Sequence, residues 1–193
     1  MAAGRGVDTR IVTPAACAGS RGVGVFQTVE SSETPRPRAH LPALIGLVGL
    51  CELVGLANGA VTASSVKGWY LSLATPPGTP PNWLFGPVWT VLYLLIGIAA
   101  WLVWRRPAIG QRRALQIWGW QLLANAVWPP MFFGLHSPAL GMAAILLLLA
   151  MVVVTIRAFA PISRPAALLL LPYAAWTCYA GYLNAGFLWL NPG

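Results

Sequence analysis

The feature that most constrains this chain is a succession of five apolar segments, each close to the length needed to cross a lipid bilayer. They run from about Leu41 to Ala63, Pro87 to Trp104, Ala114 to Gly134, Ala139 to Ile156 and Ala166 to Leu190. A bilayer core asks for roughly 20 apolar residues per helix. It offers no partner to an unpaired backbone N–H or C=O, so each segment is expected to be an α-helix. The expected fold is therefore an all-α membrane protein, an up-and-down bundle of five helices. Composition agrees, because 58% of the 193 residues are hydrophobic and only 8% are charged. A soluble domain carries about a quarter charged residues, and a disordered chain needs low hydrophobicity.

The formal net charge of +8 does not point to nucleic acid. It arises from twelve basic against four acidic residues, and the basic ones stand in short flanks between apolar runs, as they do where a membrane protein sets its orientation. With five spans, the N-terminal tail and the second-to-third and fourth-to-fifth loops share one side. Arg36, Arg38, Arg105, Arg106, Arg112, Arg113, Arg157 and Arg164 lie there, and Lys67 stands alone on the other. The positive-inside rule predicts a cytoplasmic N-terminus in a bacterial plasma membrane. Residues 1–38 are expected to form a disordered basic extension, and 39–193 the membrane domain. The extension's Arg-rich, acid-poor composition also fits an organelle transit peptide.

Metal and nucleophile chemistry find little support. Cys17, Cys51 and Cys178 are widely spaced, and His40 and His136 stand alone at segment ends, which builds neither a disulfide framework nor a metal site. There is no Ser-His-Asp set, carboxylate pair or phosphate loop, so no conventional enzyme and no required cofactor is expected.

Aromatic and proline chemistry stand out instead. The loop Ser64–Gly86 holds four prolines among aromatic residues and reads as a semi-rigid cap over a pocket. Of ten tryptophans, Trp101, Trp104, Trp118 and Trp189 fit an interfacial aromatic belt. Trp89, Trp128 and Trp176 are not accounted for by such a belt. Trp89 is one turn from Tyr93, and Pro129-Pro130 and Pro172 interrupt their helices, which opens space where aromatic faces could stack on a flat ligand.

The blocks Trp69-Tyr70-x-x-Leu73-x-x-Pro76 and Pro80-Pro81-x-x-x-Phe85-x-Pro87-Val88-Trp89-Thr90-x-Leu92-Tyr93 resemble the translocator protein and tryptophan-rich sensory protein family, TspO/MBR. So do Gln121-Leu122-x-x-Asn125-x-x-Trp128-Pro129-Pro130-x-Phe132-Phe133-Gly134 and Leu171-Pro172-Tyr173-x-x-Trp176-x-x-x-Ala180-x-x-Leu183-Asn184. The resemblance runs in order from about Leu41 to Asn191. It implies a five-helix bundle, often a homodimer, with a pocket beneath the first loop that binds protoporphyrin IX, haem and isoquinoline or benzodiazepine-type drugs. Carried over by motif, the pocket would include Trp69, Tyr70, Trp89, Tyr93, Trp128, Trp176 and Ala180. The resemblance further implies, as alternatives to a receptor, light-dependent degradation of protoporphyrin involving Trp89 and Trp176, or tetrapyrrole transport. Two positions depart from the family pattern. Thr75 stands where the family often has Lys, and Leu183–Leu190 lacks the Tyr and basic residue of the animal sterol pattern, which counts against sterol binding.

Glu52, near the middle of the first segment, is the one ionisable side chain well inside a span. An ionised carboxylate is costly there. It is expected either to be neutral and hydrogen-bonded near Asn125 or Asn184, or to make a polar contact at the pocket floor. Gly55-x-x-x-Gly59 has the spacing of a close helix contact, between copies or within the bundle.

Overall fold

The computed structural model describes residues 40–66 and 68–192. The expected extension over residues 1–38 and Lys67 lie outside the described residues. Every regular element among the described residues is helical. In chain order they are α1 (His40–Val66), the short α2 (Trp69–Ser72), α3 (Asn82–Trp104), α4 (Gln111–Pro129), a π-helical turn (Pro130–Gly134), α5 (Pro138–Phe159), α6 (Arg164–Leu169) and α7 (Leu171–Leu190).

Four stretches are long and apolar enough to cross a membrane: α1, α3, α5 and the α6–α7 pair. At ~1.5 Å per residue, the 27 residues of α1 extend ~40 Å. The third expected span is also a helix, α4, but it falls short of that composition. Gln111, Arg112, Arg113, Gln116, Gln121 and Asn125 make it polar. Gln121 and Asn125 are buried, so the polarity that lowers its hydropathy serves the bundle interior.

Prolines set where helices begin and break. Pro138 and Pro165 occupy first-turn positions, where a missing N–H costs nothing. Ser137 and Ser163 cap these turns by accepting from the N–H of Leu140 and Ala166. Pro130 cannot donate the next backbone bond of α4. The chain widens there into the π-helical turn, which Leu135 N–H closes on Pro130 O at 2.9 Å. Pro172 likewise accompanies the break at Leu170.

Packing is close where glycines permit it. α1 lies on α3, where a Cβ on Gly97 would come within 2.7 Å of the Val48 Cα. α5 packs between α4 and α7.

The two ends of the bundle differ. At one end the Arg106 guanidinium donates to Ile162 O at 3.2 Å, and Trp101 Nε1 donates to His40 O at 2.9 Å. These contacts join the α3–α4 loop, the α5–α6 loop and the start of α1. At the other end the proline-rich loop lies along α7. Ala74 N–H donates to Asn191 Oδ1 at 2.8 Å, and Asn191 Nδ2 donates back to Ala74 O at 3.1 Å. The Tyr179 and Tyr182 hydroxyls donate to Gly78 O and Pro77 O. Pro76 fills the space beside Gly186 where a Cβ would stand. The loop is thus a strap tied to α7 by side chains of α7 itself and of Asn191.

Candidate functional site

A cavity of about 640 Å³ lies between α1, α3 and α4, within the size range of small-molecule sites. Its α1 wall runs over Glu52, Gly55, Leu56, Asn58, Gly59 and Thr62, at helical spacing on one face. The α3 wall is Phe85, Trp89 and Tyr93, again four residues apart. Asn125, Trp128 and Phe133 close the α4 side, and Tyr70 of α2 reaches in from the strap end. Leu56, Ala60, Gly86 and Thr90 are exposed, so the cavity opens outward between α1 and α3.

The aromatic wall is continuous. The Trp89 ring lies 5.6 Å from Tyr93, 6.3 Å from Trp128 and 6.3 Å from Tyr173. Trp128 in turn packs edge-on to Phe133 at 6.1 Å. Such spacings are those of interacting aromatic pairs. The Trp128 Nε1–H is buried with no hydrogen-bond partner, an unsatisfied donor of the kind that calls for a ligand or water.

Behind this wall a polar network ties four helices together. Asn58 Nδ2 of α1 donates to the Tyr93 hydroxyl of α3 at 3.0 Å and to Asn125 Oδ1 of α4 at 3.3 Å. The Tyr93 hydroxyl donates to the same Asn125 Oδ1. Asn125 Nδ2 and Gln121 Nε2 each donate to the Tyr173 hydroxyl of α7 at 2.8 Å. In a low-dielectric interior such bonds fix geometry, because a severed partner has nowhere else to turn. The network holds Tyr93 and Tyr173, and through them Trp89, in one position. Gly55 completes the fit: a Cβ there would come within 2.6 Å of the Tyr93 ring.

The residues expected from the sequence fall into two groups. Tyr70, Trp89, Tyr93, Trp128, Glu52 and Asn125 line the cavity. Trp69, Trp176, Ala180 and Asn184 do not. Trp69 stacks on His136 at 4.8 Å and meets Phe132 edge-on. Trp176 packs on Phe85 and Tyr179, with its Nε1–H buried and unpartnered. Ala180 is buried in the core. Asn184 Nδ2 donates to Pro138 O, pinning the start of α5. Glu52 makes no hydrogen bond to Asn125 or Asn184, and Asn125 is bonded to Asn58, Tyr93 and Tyr173 instead. Gly55 serves packing inside the bundle, whereas a Cβ on Gly59 would meet nothing within 4 Å. Trp118 is buried rather than placed in an interfacial belt.

The sequence reading passed over Asn58 and Tyr173. Asn58 carried the same signal as Glu52, a polar side chain inside an apolar run. Tyr173 was visible only as a motif letter, and its role needs the partners that folding brings from α4. At the strap end, burial and to a lesser degree nearby Tyr179 raise the Tyr70 phenol above its ordinary value, so it stays a neutral hydroxyl at physiological pH.

The fold and the site define an integral membrane protein of several helical spans with an aromatic cavity inside the bundle. The sequence model of the TspO/MBR family matches residues 47–190. The Tryptophan-rich protein TspO of Chlorobaculum tepidum is 40% identical over 149 residues, covering 75% of this chain and 93% of that protein. The Tryptophan-rich protein TspO of Archaeoglobus fulgidus is 41% identical over 138 residues, 72% of this chain and 90% of the relative. The Translocator protein of Bos taurus is 35% identical over 143 residues, 72% and 85% of the two chains. This chain belongs to the TspO/MBR family.

Proposed function

We propose that the protein is a membrane receptor or regulator that binds tetrapyrroles, protoporphyrin IX or haem, in the cavity between α1, α3 and α4. The observation that carries this reading is the joined aromatic wall of Trp89, Tyr93 and Trp128 along a cavity of about 640 Å³. A flat conjugated ring gains both apolar burial and face contact there. The opening between α1 and α3 favours admission from the bilayer, where such ligands partition. The strap over α7, with Tyr70 turned toward the cavity, is the cap of the site in this reading.

In the same reading α4 is the fifth span, its polar residues shielded by α1, α3 and α7 rather than by water. The arginine-bearing loops face the cytoplasm, the protein resides in the plasma membrane, and the strap faces the opposite side. Asn191, close to the chain's end, lies with the strap.

The test is a protoporphyrin IX absorbance titration of the purified protein in detergent, in darkness and then under illumination. Saturable binding with a stable spectrum in light is the outcome expected of a receptor. Loss of the porphyrin bands in light, abolished in a Trp89→Phe/Trp176→Phe double variant, would make the protein a light-dependent degrading enzyme. Absence of saturable binding would overturn the tetrapyrrole reading.

A further inference from the structure

Glu52 lines the cavity and is the only acidic residue among the described residues. It makes no hydrogen bond or ion pair there, while five other polar side chains of the cavity are engaged and the Trp128 Nε1–H is not. Asn58, Tyr93 and Asn125 bond one another, and the Thr62 and Thr90 hydroxyls donate to carbonyls of their own helices, Asn58 O and Gly86 O. No Lys, Arg or His is among the residues that line the cavity. An unpaired carboxyl in apolar surroundings is costly when ionised and gains most from a cation brought to it, because attraction is least screened there. Its complement therefore has to arrive with the ligand. The position also matters: Glu52 lies mid-way along α1, at the end of the cavity farthest from the strap.

We propose that Glu52 gives the cavity a second ligand class, flat aromatic molecules carrying one protonated amine or similar N–H cation, and makes the cavity's inner end hostile to carboxylates. The aromatic body lies along Trp89 and Trp128, and the cationic nitrogen donates to the Glu52 carboxylate. A protoporphyrin in the same cavity is then oriented with its propionates toward the strap and its apolar edge toward Glu52. This orientation rests on the tetrapyrrole reading above, whereas the cation preference does not.

The discriminating probes are 9-aminoacridine, protonated at neutral pH, and acridine, neutral there and almost the same shape. Fluorescence titrations of the full-length protein in neutral, non-ionic detergent compare the two with protoporphyrin IX, on wild type and on Glu52→Gln. The expected result is at least a roughly tenfold preference for 9-aminoacridine in wild type, falling to within about twofold in Glu52→Gln. Protoporphyrin affinity in that variant is expected to rise, because the apolar edge of the ring then meets a neutral amide instead of a carboxylate. Equal affinity of wild type for the two acridines overturns the proposal without any variant being needed. A preference that survives Glu52→Gln overturns it too. Absence of protoporphyrin binding to wild type, with the acridine preference present in wild type and lost in Glu52→Gln, would sink the tetrapyrrole reading and leave the Glu52 assignment standing.

Discussion

At the scale of single residues, the polar network is the feature most exposed to test. Asn125 bonds partners from α1, α3 and α7, so Asn125→Leu removes three side-chain bonds at once and leaves the Tyr93 hydroxyl without its acceptor. An orphaned buried polar group costs roughly 1–3 kcal/mol, and single interhelical bonds in membranes average nearer ~0.6 kcal/mol. Asn125→Leu is therefore expected to lower the thermal midpoint in detergent more than Tyr93→Phe, which removes the two bonds of one hydroxyl and keeps the ring. Equal effects would mean the network does not act as a unit. The two glycines of α1 make a paired prediction of opposite sign. Gly55→Ala drives a Cβ into the Tyr93 ring and is expected to lower both stability and ligand affinity. Gly59→Ala meets open space and removes a helix-weakening glycine, worth up to ~1 kcal/mol, so its melting midpoint is expected to hold or rise. The same two residues show how far sequence reading reaches. The Gly-x-x-x-Gly spacing marked a contact face, but only the position of Tyr93 distinguishes the glycine under contact from the one that faces open space.

At the scale of elements, the strap and α4 carry the argument. The proline loop is fastened by Asn191, Tyr179 and Tyr182. Asn191→Ala is expected to speed hydrogen exchange at the Ala74 amide about fivefold or more, for a loss of ~1 kcal/mol. The amide of Leu122, inside α4, is the reference that should not change. If Ala74 exchange is also unchanged, the loop is held by something other than α7. The prolines made an ordered loop legible in the sequence, because four restricted residues cannot form a floppy linker. Its partner was not legible, since a tie between Ala74 and Asn191 spans the length of the domain. For α4 the limitation ran the other way. Its glutamines and Asn125 lower its hydropathy, and composition does not say which face they occupy. Only the fold turns Gln121 and Asn125 inward.

At the scale of the whole molecule, the described residues carry Arg105, Arg106, Arg112, Arg113, Arg157 and Arg164 on loops and helix ends at one end of the bundle. By the positive-inside rule that end is the one expected in the cytoplasm under the proposed orientation. In a background with the native cysteines replaced by serine, Ile109→Cys, fully exposed on the α3–α4 loop, is expected to resist a membrane-impermeant maleimide until cells are opened. Leu71→Cys, exposed on α2, is expected to react in intact cells, and the reverse pattern would invert the topology. Helical class and aromatic content were readable along the chain because bilayer length and stacking chemistry act locally. The division of the motif residues between the cavity and the core behind it was not readable, because Trp176 and Trp89 differ only in what packs against them. Whether a ligand is held on the Trp89–Trp128 wall is decided by a dark protoporphyrin IX titration of wild type beside Trp89→Ala, Trp128→Ala and Trp120→Ala. Trp120 is exposed and is not among the residues that line the cavity. One saturable site per chain is expected, weakened about tenfold by each of the first two changes and untouched by the third. Equal affinity in wild type and in the Trp89→Ala and Trp128→Ala variants would contradict it.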